Sequence, residues 1–133
     1  MIKRLHHVCI VVKNIDETAK VYQDLFGVKA GHSQVMPEQG VKAVLIPIGD
    51  TEIELIEPID SKSGVAKFLE SKGEGLHHIC LEVDDVDKEL KRLDAKGTAL
   101  VDKVGRGGLA GKVGFLHPKA TKGVLIELAQ PVK

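Results

Sequence analysis

The chain has 133 residues, of which 43% are hydrophobic and 29% charged, a size and make-up that suit one compact globular domain. Its 19 basic residues match its 19 acidic ones, so there is none of the surplus charge that nucleic acid or an anionic membrane would attract. No run reaches the roughly 18 apolar residues of a membrane span, and Met1-Ile2-Lys3-Arg4 leads into a strand without an apolar targeting segment, so a cytoplasmic protein is expected.

The first strand is expected over Leu5-His6-His7-Val8-Cys9-Ile10-Val11-Val12. Asn14 then caps an amphipathic helix whose apolar positions Ile15, Ala19 and Tyr22 recur at helical spacing, with a stop at Gly27. Two strands follow, roughly 30–35 and 41–48, and a closing strand carries Ile53-Glu54-Leu55. The pattern then begins again. Leu76-His77-His78-Ile79-Cys80-Leu81-Glu82-Val83 repeats the first strand almost letter for letter, and Asp85 takes the cap position before Val86, Leu90, Leu93 and the stop at Gly97. Strands at roughly 99–104 and 113–116 lead to a closing Ile126-Glu127-Leu128. The class is therefore α+β, with one βαβββ module used twice, about 1–70 and 71–133, in a single domain. A module of about 65 residues would be marginal alone, so the two are expected to share a core.

Strand parity separates the two histidines of each pair, because alternate side chains point to opposite faces. Val8, Ile10 and Val12 form an apolar face fit to lie under the helices, and His6 shares it; His7 points the other way. By the same test His77 goes with Ile79, Leu81 and Val83, and His78 with Cys80 and Glu82. Glu54 faces away from Ile53 and Leu55, and Glu127 away from Ile126 and Leu128. A carboxylate set between such neighbours is costly to bury unless it is compensated, and a divalent metal would compensate it. Two imidazoles and two carboxylates suit a borderline to hard ion, with waters or substrate oxygens completing an octahedron. Taken singly, each of these residues reads more readily as a hydrogen-bonded structural histidine or a solvated glutamate; their repetition in register singles them out.

Other features read more simply. Cys9 and Cys80 fit buried thiols that pack as small hydrophobes. Gly105-Arg106-Gly107-Gly108-Leu109-Ala110-Gly111-Lys112 lacks the strand-before, helix-after setting of a phosphate loop and reads as a hairpin connection. His32 is expected at the surface, and His117 in a turn with Pro118.

The duplicated halves carrying His7, Glu54, His78 and Glu127 resemble the vicinal oxygen chelate superfamily, which includes glyoxalase I, extradiol dioxygenases and antibiotic-resistance proteins. Within it, Leu5-His6-His7-Val8, Pro37-Glu38-Gln39-Gly40-Val41, Gly75-Leu76-His77-His78, Phe115-Leu116-His117-Pro118-Lys119 and Gly123-Val124-Leu125-Ile126-Glu127-Leu128 are similar to segments of the methylmalonyl-CoA epimerase family. The resemblance implies an eight-stranded mixed sheet, four strands per half, curved around one divalent metal held by His7, His78, Glu127 and the position of Glu54. Cobalt is the first choice; manganese, nickel, zinc, iron and magnesium are also compatible. It implies a homodimer that interconverts the 2R and 2S forms of an acyl-CoA substrate, methylmalonyl-CoA, by proton transfer through a metal-stabilised enolate. Glu127 would serve one face of the reacting carbon. For the other face Glu54, a metal-bound water, or Gln39 as a positioner remain open. Lys112, Lys119 and Lys122 could meet the phosphates of coenzyme A or simply be solvated. One position departs from the family: some relatives carry a glutamate, proposed as a base, where this chain has Ala43. The same fold and chemistry would also serve a glyoxalase-like lyase acting on a thiol adduct, and the fold alone a metal-free antibiotic-binding protein.

Overall fold

The structure is a computed structural model and describes residues 1–132. Its elements are β1 (Ile2–Val11), α1 (Ile15–Phe26), β2 (Gln34–Met36), β3 (Val41–Ile48), β4 (Thr51–Pro58), α2 (Gly64–Lys72), β5 (Gly75–Val83), α3 (Val86–Ala95), β6 (Arg106–Gly108), β7 (Gly111–Leu116) and β8 (Ile126–Gln130). The eight strands hydrogen-bond in the order β2-β3-β4-β1-β5-β8-β7-β6, and the sheet is mixed, since β5 and β8 run parallel while β7 and β8 are antiparallel. By compactness the chain divides into one unit of Val8–His77 and another that joins Met1–His7 to the chain from His78 onward. These units do not follow the repeat boundary near residue 70, because β1 and β5 each give part of their length to either unit.

In the Val8–His77 unit, the Asn14 side chain accepts the backbone N–H of Glu17 at 3.0 Å and starts α1, which ends at Gly27 with φ 70°. Ile15 from the helix packs with Val12, Val44, Ile46 and Leu55, and Ile10, Ala19, Tyr22 and Ile53 close around them. Leu45 is paired with Glu54 and Val44 with Leu55, so Glu54 stands on the face turned away from α1. The helix α2 has no counterpart among the expected elements. Ser63 caps it by accepting the N–H of Ala66 at 3.0 Å, and Val65, Ala66, Phe68 and Leu69 are its half-buried positions. The strand expected near 30–35 is shortened to Gln34–Met36.

In the other unit, Asp85 caps α3 by accepting the N–H of Lys88 at 3.1 Å. Val86 and Leu90 pack on Val83, Leu116 and Leu128, with Leu81, Leu93, Leu100 and Ile126 around them. The strand expected over 99–104 does not form; only a bridge between Leu100 and Leu116 is present. The N–H groups of Val101 and Asp102 both donate to the Phe115 carbonyl, and the Asp102 carboxylate accepts the Phe115 N–H at 2.8 Å. That side chain takes the place of a backbone partner and ends the pairing there. The strand lies instead inside the glycine run: β6 and β7 form the expected hairpin, with Arg106 opposite Val113 and Gly108 opposite Gly111. Gly111 has φ +109°, and a Cβ there would collide with the Gln130 carbonyl.

Register decides which side chains meet. Cys80 and Phe115 are both paired with Glu127, so the three stand abreast on one face, while Leu81, Leu128 and Gly114 face α3.

Candidate metal centre

His7, His78 and Glu127 converge within the unit that contains α3, and all three are buried, at 3%, 5% and 6% exposure. Glu127 Oε1 lies 3.0 Å from His78 Nε2 and 3.1 Å from His7 Nε2, and the two imidazole rings meet edge to face with centroids 5.6 Å apart. Phe115 packs edge-on against His78 at 5.2 Å, and the Arg106 guanidinium covers the Phe115 ring. Burial pushes the Glu127 carboxyl up, but hydrogen bonds and charge interactions with His7 and His78 outweigh it and bring the pKa down to about 2. The group is thus a buried carboxylate held ionised.

The donor set fits a divalent cation. In an octahedron with bonds of about 2.1 Å, neighbouring ligand atoms are about 3.0 Å apart. The two nitrogen–oxygen separations match that edge. Two imidazole nitrogens and one carboxylate oxygen are also the mixed donors that borderline ions accept.

Parity anticipated the placing of His78, which shares its face with Cys80 and, through the register, Glu127. At β1 parity gave less. The face that carries His7 is not an open one, since Cys9 and Val11 are wholly buried and more so than Val8 and Ile10. The rings of His6 and His7, expected on opposite faces, also meet: their Nδ1 atoms are 2.8 Å apart, with ring centroids at 5.1 Å and planes at 80°. Nδ1 is the ring nitrogen nearer the backbone, which lets neighbouring residues touch round the strand. His6 is the residue at this centre that the sequence reading passed over; the only signal for it was the His-His doublet.

The remaining anticipated residues come from other elements. Glu54 is a buried carboxylate on β4, at 8% exposure, in the Val8–His77 unit. Gln39 is exposed at the end of the 3-10 turn Pro37–Gln39. Lys119 and Lys122 are exposed in and beside the turn Pro118–Thr121, with Lys122 in the left-handed region at φ 64°. The His117 imidazole caps that turn by accepting the Lys119 N–H, and His32 is exposed, both as expected. Lys112 pairs with Asp87 at 2.7 Å. Cys9 and Cys80 are fully buried, and Cys80 packs with Val113 and Ala129. No helix among the described residues is long and apolar enough to cross a membrane.

The mixed sheet of eight strands thus carries a buried histidine–carboxylate triangle. The chain belongs to the glyoxalase/bleomycin resistance protein/dioxygenase superfamily, whose family model matches residues 6–116. It is 39% identical over 131 residues to the mitochondrial methylmalonyl-CoA epimerase of Dictyostelium discoideum, spanning 97% of this chain and 79% of that protein. It is 38% identical over 135 residues to the ethylmalonyl-CoA/methylmalonyl-CoA epimerase of Cereibacter sphaeroides, spanning 98% of this chain and 99% of the relative. Among solved structures, a variant of the Streptomyces coelicolor methylmalonyl-CoA epimerase in complex with 2-nitronate-propionyl-CoA superposes with a TM-score of 0.95 at 33% identity, covering 99% of this chain and 96% of that one.

Proposed function

We propose that this chain is a metal-dependent epimerase that interconverts the 2R and 2S forms of methylmalonyl-CoA. The observation that carries the reading is the ionised, buried Glu127 held between His7 and His78, in a chain similar along nearly its whole length to enzymes of that name. His7, His78 and Glu127 would hold the ion, with Glu54 as the fourth ligand. Cobalt is the first choice, and manganese, nickel, zinc, iron and magnesium are compatible with the same donors. A divalent ion bound there supplies Lewis-acid stabilisation of the negative charge that develops on the thioester oxygen.

The chain's own groups handle the proton. Only Oε1 of Glu127 enters the triangle, and we assign Oε2 to the proton on carbon 2 of the acyl group. Its depressed pKa keeps it in the accepting form at every physiological pH. Inversion needs a second group on the opposite face of that carbon. Ala43, a buried position on β3, has no proton to exchange, so we assign this role to Glu54. Gln39 is assigned to orient the acyl group, and Lys119 and Lys122 to meet the phosphates of coenzyme A. The same reading includes a homodimer and a cytoplasmic setting. It is tested by incubating the chain with methylmalonyl-CoA and Co²⁺ in deuterated water. Deuterium should enter at carbon 2, and chelation with EDTA should stop it. No exchange with Co²⁺ bound would reject the reading.

A further inference from the structure

His6 takes no part in the chemistry described so far, yet it is buried and its Nδ1 lies 2.8 Å from His7 Nδ1. Two neutral imidazoles can share that contact only if one nitrogen carries the hydrogen and the other accepts it. The direction of the bond depends on what His7 Nε2 does. The charge of the ionised Oε1 of Glu127, 3.1 Å away, favours a hydrogen on Nε2, although that N–H is not aligned for a hydrogen bond; Nδ1 is then bare, and His6 Nδ1–H donates to it. Facing a cation, Nε2 must offer its lone pair, so His7 carries its hydrogen on Nδ1 and needs an acceptor there.

We propose that His6 is that acceptor: a positioning residue that holds His7 as its Nδ1–H tautomer and aims the Nε2 lone pair at a divalent cation. Loading the centre then reverses the hydrogen bond between the two rings. The proton count of the pair does not change. In the metal-free chain the hydrogens sit on His7 Nε2 and His6 Nδ1; in the loaded chain they sit on His7 Nδ1 and His6 Nε2. In the second copy the His77 ring packs edge-on against Phe68 at 4.9 Å. This inference rests on the reading of His7 as a metal ligand.

Two measurements test it. Long-range proton–nitrogen NMR of the wild-type chain, without metal and with diamagnetic Zn²⁺, reads the tautomer of each ring directly; Zn²⁺ should move the hydrogen of His6 from Nδ1 to Nε2. Calorimetric titration with Co²⁺ should show binding weakened about 10- to 100-fold in His6→Leu, the usual loss when a partner behind a metal-bound histidine is removed. His6→Asn, whose side-chain oxygen can accept from His7 Nδ1–H, should recover most of it. Wild-type Co²⁺ affinity in a folded His6→Leu, or a His6 that keeps its hydrogen on Nδ1 with Zn²⁺ bound, overturns the inference and leaves the proposed function standing. A wild-type chain that takes up neither ion overturns both. Should His6→Leu not fold, the NMR of the wild-type chain decides alone.

Discussion

Replacing Glu127 with glutamine keeps the shape of the side chain and removes its charge, which separates what the carboxylate does for the fold from what it does for a cation. Its pKa stands at about 2 against an ordinary 4.5. At about 1.4 kcal/mol for each pH unit, the folded chain prefers the ionised group by about 3 kcal/mol. Because the folded pKa lies below the unfolded one, that stability is fully present above about pH 4.5 and is lost as the pH falls toward 2. In Glu127→Gln the amide oxygen can still accept from one or both imidazoles, so we expect a loss of about 1–3 kcal/mol at pH 7, the worth of a hydrogen bond to a charged group. The variant should also lose the part of the acid limb between pH 4.5 and 2 that belongs to this group. Urea midpoints measured by circular dichroism across that range, with EDTA present, supply both quantities. With Co²⁺ at about 100 times its dissociation constant the wild-type chain should gain about 2.7 kcal/mol and the variant almost nothing. An acid limb in Glu127→Gln parallel to that of the wild type would refute the claim that His7 and His78 hold this carboxylate ionised.

His78→Ala should weaken Co²⁺ binding by more than about 100-fold, beyond the cost of losing a partner behind a ligand, with calorimetry as the check. The Asp87 carboxyl is held below its ordinary value chiefly by the hydrogen bond from Lys112, then by the N–H of Gly105. Its stabilising effect is complete above pH 3.8 and fades as the pH falls; Lys112, raised by the same pair, loses its effect as the pH climbs past 10.5. Asp87→Asn should therefore flatten the stability profile at both ends, and equal slopes in variant and wild type would count against the pair. Leu90→Ala, at a wholly buried position, should cost about 3–5 kcal/mol. A Cβ on Gly114 would come within 2.7 Å of Leu90 Cδ1, so Gly114→Ala should cost about 1–3 kcal/mol alone but less when combined with Leu90→Ala. Additive losses in that cycle would show that the two side chains do not share one space.

The repeat, the strand and helix periods, the caps at Asn14 and Asp85 and the facing of His78 and Glu127 were all legible in the chain, because each is a local matter. A period of two or of 3.6 residues places a side chain on a face, and a cap needs only a side-chain oxygen three residues ahead of an N–H. Whatever depends on residues far apart was not. Asp102 displaces the strand expected at 99–104 by taking the N–H of Phe115, and no reading of 99–104 alone contains Phe115. The helix Gly64–Lys72 buries no residue completely, so its short apolar pattern carried little weight without the strands it rests on.

The chain's own letters determined which residue types recur and which face of a strand each occupies. Only the tertiary structure decided that His7 joins His78 and Glu127 in one compact unit, and that His6 turns its ring to meet His7. The physical reason is that periodicity sets direction within an element, whereas a separation of 3 Å between side chains is set by register, by rotamers and by the packing of neighbours that lie elsewhere in the sequence.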